Sequence, residues 1–185
     1  MIAAAASVDA STALVIIDVQ QGMFMFQRPL WRAGDILEGI SELLRGERQA
    51  NACIVHVQHD GGPGHLLAKG SIGGPHHPEV APIEDEITIE KHHSSAFHNT
   101  DLHDRLRRIG IRRLMIAGIQ TEYCVDSACR AAVALGYQVT LLSDAHSTFD
   151  SPVLTAVQIV AHHNRTLGGG FVALSRTDEV MFRSE

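Results

Sequence analysis

Two uninterrupted apolar runs, Ala13-Leu14-Val15-Ile16-Ile17 and Leu114-Met115-Ile116-Ala117, constrain the fold of this 185-residue chain more than any other feature. Neither alternates apolar with polar residues, so each reads as a strand covered on both faces. Strands of that kind belong to parallel sheets wrapped by helices. Ala52–Val57, Ile87–Lys91, Tyr137–Leu142 and Phe171–Leu174 read as four further strands. Helical spacing fills the gaps between them. Asp35 is placed to cap a helix with Ile36, Ile40, Leu43 and Leu44 on one face. Thr100 or Asp101 opens a second, with Leu102, Leu106 and Ile109 inward and Gly110 as its stop. Val125, Ala128, Ala132 and Leu135 mark a third, ended by Gly136. Ser151-Pro152 is read as the start of a last helix running to about Arg165. This alternation predicts a doubly wound α/β fold, a mostly parallel six-stranded sheet with helices on both faces. No repeat or linker divides the chain, so one domain over residues 1–185 is expected, with residues 1–11 flexible.

Composition narrows the function. A net charge of −6 and the lack of any Lys/Arg run argue against nucleic-acid binding. No apolar stretch reaches spanning length, and the N-terminus lacks the basic and apolar regions of a secretion signal. A cytoplasmic address is the expectation. Three cysteines without regular spacing form neither a disulfide framework nor a Cys-x-x-Cys redox pair. Cys53 and Cys129 read as buried and inert.

Ligands of open parallel sheets bind beyond the carboxyl ends of the strands. Three reactive side chains fall at such ends: Asp18 after the first strand, Lys91 closing the third, and Cys124 after the fourth. Taken singly each has a plain reading, as a turn former, a solvated strand end and a small buried hydrophobe. Their coincidence on one edge points to chemistry. The segment Gly118-Ile119-Gln120-Thr121-Glu122-Tyr123-Cys124-Val125-Asp126-Ser127 places the thiol where a strand becomes a helix. Unpaired N–H groups and the helix dipole there are expected to favour thiolate. A carboxylate can take the thiol proton and an ammonium can hold both groups, which suits attack on a carbonyl carbon. The irregular segment from Asp60 to Asp85, with eight glycines or prolines between Gly61 and Pro75, has the length of a site-lining loop.

Several stretches together resemble the isochorismatase-like cysteine hydrolases. They are Leu14–Gln20 with Phe24, Lys91 with Ser95-Ala96-Phe97, Thr100-Asp101-Leu102, Gly110-Ile111, Ala117-Gly118, Thr121 through Cys124-Val125, and Asp144-Ala145. The resemblance runs from Thr12 to about Leu174. It implies a triad of Asp18, Lys91 and Cys124, and a cis peptide between Ile119 and Gln120. It further implies an oxyanion hole from the backbone N–H groups of Gln120 and Cys124. By the same similarity Gln20 and Phe24 lie near the substrate and the protein is a homo-oligomer. Tyr123, next to the cysteine, reads as a pocket wall or as packing. Trp31 fits either a substrate contact or a subunit interface.

The chain departs from the metal-dependent nicotinamidases of that family, which carry Asp-x-His and a further His after the second strand. Here His59-Asp60-Gly61 occupies the stretch, and only His65 is placed as a distant ligand. No metal or cofactor is therefore expected. His92 and His93 read as a proton relay or as a polar loop, and Phe149 and the Asp144-Ala145-His146 turn as a strand-to-helix connection. The leading expectation is a metal-independent hydrolase. It would cleave a C–N bond of a small amide, carbamoyl or ureido substrate through a thioester. A nicotinamidase with an altered metal site, and a non-catalytic small-molecule-binding or assembly protein, are the alternatives.

Overall fold

The computed structural model describes residues 7–182. In chain order the elements are β1 (Ser7–Val8), β2 (Thr12–Ile17), α1 (Ala33–Gln49), β3 (Cys53–His59) and β4 (Ile87–Lys91). They continue with α2 (Leu102–Arg108), β5 (Arg113–Ile119), α3 (Asp126–Ala134), β6 (Gln138–Ser147), α4 (Ala156–Gly168), β7 (Ala173–Ser175) and β8 (Met181–Phe182). The main sheet has six strands in the order β4-β3-β2-β5-β6-β7, all parallel. β1 and β8 form a separate parallel pair. Of the N-terminal residues expected to be flexible, 1–6 lie outside the described residues. Ser7–Val8 pair with β8, and Asp9 accepts hydrogen bonds from Ser11.

The chain leaves β2 towards β3 and β4 on one side, and returns beside β2 as β5 to build outward on the other. The topological switch thus lies between β2 and β5, and a crevice opens there beyond the strand ends. Two apolar layers hold the sheet. Ile36, Ile40, Leu43 and Leu44 of α1 cover one face against Leu14, Ile16 and Met115. Leu102 and Leu106 of α2 with Ala128 and Ala132 of α3 cover the other, against Val15, Ile17 and Ile116. The predicted inward positions Ile109 and Leu135 are instead exposed, because each lies just past the end of its helix. The last helix starts four residues later than expected. Thr155 and Gln158 form a capping box ahead of Ala156, while the Ser151 hydroxyl accepts from the Val153 and Leu154 N–H groups in a turn.

Strands β2 and β5 approach unusually closely beside the crevice. A Cβ on Gly118 would sit 2.1 Å from the Ile17 carbonyl oxygen, and Gly118 has φ +131°. Only glycine meets both demands. Gly118→Ala is expected to destabilise the fold by about 3 kcal/mol, read as a lowered urea midpoint.

The apolar face of α1 contains one anomaly. After Leu43 and Leu44 the next inward position is Glu47, whose carboxyl is fully buried with no hydrogen-bond partner among the described residues. Burial raises its pKa from 4.5 to about 7. The folded chain therefore binds an extra proton between those values, and stability falls as pH rises through that window. Glu47→Gln is expected to flatten this fall and to stabilise the protein at pH 8 by about 2–3 kcal/mol. Denaturant melts at pH 5 and pH 8 would check it.

Candidate active site

Asp18 immediately follows β2. Its N–H donates to the Val57 carbonyl oxygen (3.0 Å), and its φ of +51° is left-handed. A non-glycine residue held so costs about 1 kcal/mol, and strain of this kind collects at functional sites. Lys91 is the last residue of β4. Both side chains are fully buried, with Lys91 Nζ 2.7 Å from Asp18 Oδ2.

The Ile119–Gln120 peptide after β5 is cis, and Thr121–Val125 follow as a single π-helical turn. The Val125 N–H closes that turn onto the Gln120 carbonyl oxygen, five residues back, at 3.1 Å. The wide turn carries Cys124, whose Sγ accepts a hydrogen bond from Lys91 Nζ at 3.3 Å. His59, at the end of β3, presents Nδ1 to the same ammonium at 3.4 Å. An ammonium has three protons and no lone pair. Here it faces a carboxylate, a sulfur and an imidazole nitrogen.

Electrostatics of the cluster overturn one expectation. The Cys124 thiol is not acidified but pushed up to about 12, first by burial and then by the Asp18 charge, against the pull of Lys91. Cys124 precedes α3 within the π turn rather than standing at an α-helix N-terminus, and removal from water dominates. Burial also raises Asp18, opposed by the Lys91 charge. The resting sulfur is therefore a thiol beside a proton acceptor. Cys53 (about 11) and Cys129 (about 12) are raised by burial too, so acidity does not single out Cys124.

The other predicted residues separate. Gln20 is buried, and its amide is committed to backbone. Nε2 donates to the carbonyl oxygens of His59 (3.0 Å) and Gly74 (2.6 Å), and Oε1 accepts from the His59 N–H (2.9 Å). It fastens the loop after β3 to the strand bearing Asp18 and has no polar atom spare for a substrate. Phe24 is half-buried against His77, with ring centroids 4.7 Å apart. Tyr123 is 57% exposed, so it is not a packing residue. The Trp31 N–H donates to the Thr148 carbonyl oxygen, and Phe149 meets Phe26 edge-on, so both mark the β6 side of the rim. His92 and His93 form no relay. His92 bonds the Asp60 carbonyl oxygen, and His93 meets His98 edge-on.

Sequence reasoning missed the brace behind the π turn. His146 is fully buried at the end of β6, with Nδ1 2.8 Å from Thr121 Oγ1 and Nε2 2.9 Å from Asn164 Oδ1. Burial lowers its pKa to about 4, so it is a neutral link. A bulge places it there. β6 leaves the β5 register after Leu141 and rejoins it at His146 opposite Gly118.

The nicotinamidase metal arrangement is not assembled here: among the described residues His59 and His65 join no group of three potential ligands close enough to share an ion. His59 Nδ1 faces an ammonium, His65 Nδ1 accepts the Leu67 N–H, and Asp60 Oδ1 accepts the N–H groups of Gly62 and Lys69. Among the described residues one cluster brings three potential ligands together, Asp60, Glu90 and His92. It lies outside the buried triad, with Glu90 already paired to Lys69. No described helix is long and apolar enough to cross a membrane.

A parallel sheet in this order gathers acid, ammonium and thiol at its switch point. The model for the isochorismatase domain matches residues 12–164, and the chain belongs to the isochorismatase family. It is 33% identical over 153 residues, 83% of its own length, to a streptothricin hydrolase of Streptomyces noursei. It spans 61% of that protein and 51% of a second streptothricin hydrolase from the same organism. Over 82 residues, 44% of this chain and 34% of the relative, it is 43% identical to a ureidoacrylate amidohydrolase of Acinetobacter baylyi. The crystal structure of a putative isochorismatase hydrolase from Oleispira antarctica superposes with a TM-score of 0.87 at 31% identity. That match covers 93% of this chain and 96% of the other.

Proposed function

We propose that the protein is a cysteine hydrolase that cleaves a C–N bond of a small amide, carbamoyl or ureido compound through a thioester on Cys124. The supporting observation is the single buried ammonium of Lys91, 2.7 Å from the Asp18 carboxylate and 3.3 Å from the Cys124 sulfur. Asp18 takes the thiol proton as sulfur adds to the substrate carbonyl carbon. The C=O electron pair moves to oxygen, where the N–H groups of Gln120 and Cys124 receive it. Collapse of that adduct breaks the C–N bond, and the Asp18 carboxylic acid returns its proton to the departing nitrogen. Water then gives a proton to Asp18 and adds to the thioester. A second collapse releases the acid, and the proton passes back to sulfur. Lys91 aims the Asp18 carboxyl group throughout and favours its charged form whenever the proton has left.

The similarities to a streptothricin hydrolase and a ureidoacrylate amidohydrolase favour this bond class. A homo-oligomer and a metal-free reaction belong to the same reading. The test is ammonia release from a panel of small amides and ureides, before and after chelation, with intact-mass detection of an acyl adduct mapped to Cys124. Release with an adduct, unchanged by chelation, is expected. Neither product nor adduct across the panel would remove the reading.

A further inference from the structure

The two histidines beside the triad have their tautomers fixed by their partners. His59 Nδ1 faces Lys91 Nζ at 3.4 Å, and an ammonium can only donate, so this nitrogen accepts. The Leu67 N–H likewise donates to His65 Nδ1 at 3.1 Å. In the neutral form of each ring the proton must therefore sit on Nε2. Burial and the Lys91 charge hold His59 down at about 4, so it is neutral at ordinary pH. The rings stand edge to face with centroids 5.8 Å apart, and neither Nε2 has a protein partner among the described residues.

Gly61 makes this pairing possible. A Cβ there would lie 2.2 Å from both Cγ and Nδ1 of His65. The His65 ring occupies the volume that any side chain at 61 would take. Gly61 does not have a positive φ, so its backbone admits other residues and the requirement is space alone. His65 is seated by construction, one ring away from the ammonium that holds the sulfur.

We infer that His59 and His65 offer their two unpartnered Nε2–H donors to a second acceptor oxygen of the substrate, a carbonyl or carboxylate beyond the scissile C–N bond. This deepens the hydrolase reading and rests on it. The substrate class becomes small amides or ureides that carry such an oxygen, rather than simple alkyl amides. His65 is exposed, so the discrimination comes from hydrogen bonds gained by the oxygen-bearing substrate rather than from stranded buried donors.

Three ureides sharing one scissile group test it with the full chain. N-carbamoylglycine and its amide carry the second oxygen, and ethylurea does not. The wild-type kcat/KM for the first two is expected to exceed that for ethylurea by about tenfold or more. His65→Ala and Gly61→Ala should each cut that preference about tenfold, chiefly through KM. His65→Gln, which keeps an N–H donor, should recover part of it. Loss of all three activities in equal proportion would make His65 a loop support and overturn the inference, as would a wild type without preference.

Alkylation of Cys124, mapped by peptide mass, gives a readout independent of turnover. Iodoacetate carries the acceptor oxygens and iodoethane does not. The ratio of their rates should fall in Gly61→Ala and His65→Ala. A fall in that ratio without hydrolysis of any ureide would sink the hydrolase reading and keep the donor pair. Ureide hydrolysis with both ratios unchanged would do the reverse. No change in either measurement would dispose of the donor pair.

Discussion

Cys124→Ala is expected to abolish hydrolysis, by four orders of magnitude or about that, while leaving the fold intact. The thiol contributes one hydrogen bond from Lys91 and packs at the border of the core, so its loss removes little buried surface. Circular dichroism and the urea midpoint should therefore match the parent. Cys124→Ser should be nearly as inactive, because a hydroxyl is a weaker nucleophile than a thiol and is held in a site that already disfavours an anion. Turnover within tenfold of wild type in the alanine variant would exclude covalent catalysis at this position. The raised thiol adds a further expectation. Unliganded Cys124 should react with alkylating agents slowly, and Asp18→Asn, which removes the carboxylate charge that helps raise the thiol and leaves Lys91 free to stabilise thiolate, should speed it.

Replacing Lys91 with methionine is expected to damage both activity and stability. Asp18 would then be a fully buried carboxylate without its countercharge, and stranding one partner of such a pair costs about 3–5 kcal/mol. The carboxyl would escape part of that cost by staying protonated, which leaves no base for the thiol. Its folded pKa would lie further above the unfolded value, so the variant should lose stability as pH rises from 4 towards 8. Adding Asp18→Asn to Lys91→Met should recover much of the lost stability and none of the activity. Urea melts over that pH range, paired with ammonia release, separate the two effects. A single variant as stable as the parent would mean that the ion pair contributes nothing to the fold.

Much of the architecture was legible because buried parallel strands announce themselves as unbroken apolar runs. Leu14–Ile17 and Leu114–Ala117 lie at the centre of the sheet, and the residues following such runs had to meet at one edge. The helix ends were less legible. Ile109 and Leu135 continue an apolar period past the point where the backbone turns away, and periodicity carries no information about that. Ser151-Pro152 imitates a helix start, yet Thr155 with Gln158 supplies the stronger cap. The state of the thiol was misread because a local rule about helix ends was applied to a group whose burial depends on the whole fold. Gln20 was placed near the site and His146 in a strand-to-helix connection, but their partners are His59, Gly74, Thr121 and Asn164, up to 54 residues away. One signal was available for His65: the glycine two residues after His59 frees a ring-sized space.

The Gln20 clasp has a consequence for how such a chain can change. It grips the chain at His59 and Gly74, and fixes those two points independently of the exposed positions between them. New side chains can be tried at exposed positions such as Pro63 and Ile72, while the buried Leu67 and the His65 ring hold their places and acid, ammonium and sulfur keep their spacing. Diversification of what is recognised can thus proceed without re-inventing how it is cut.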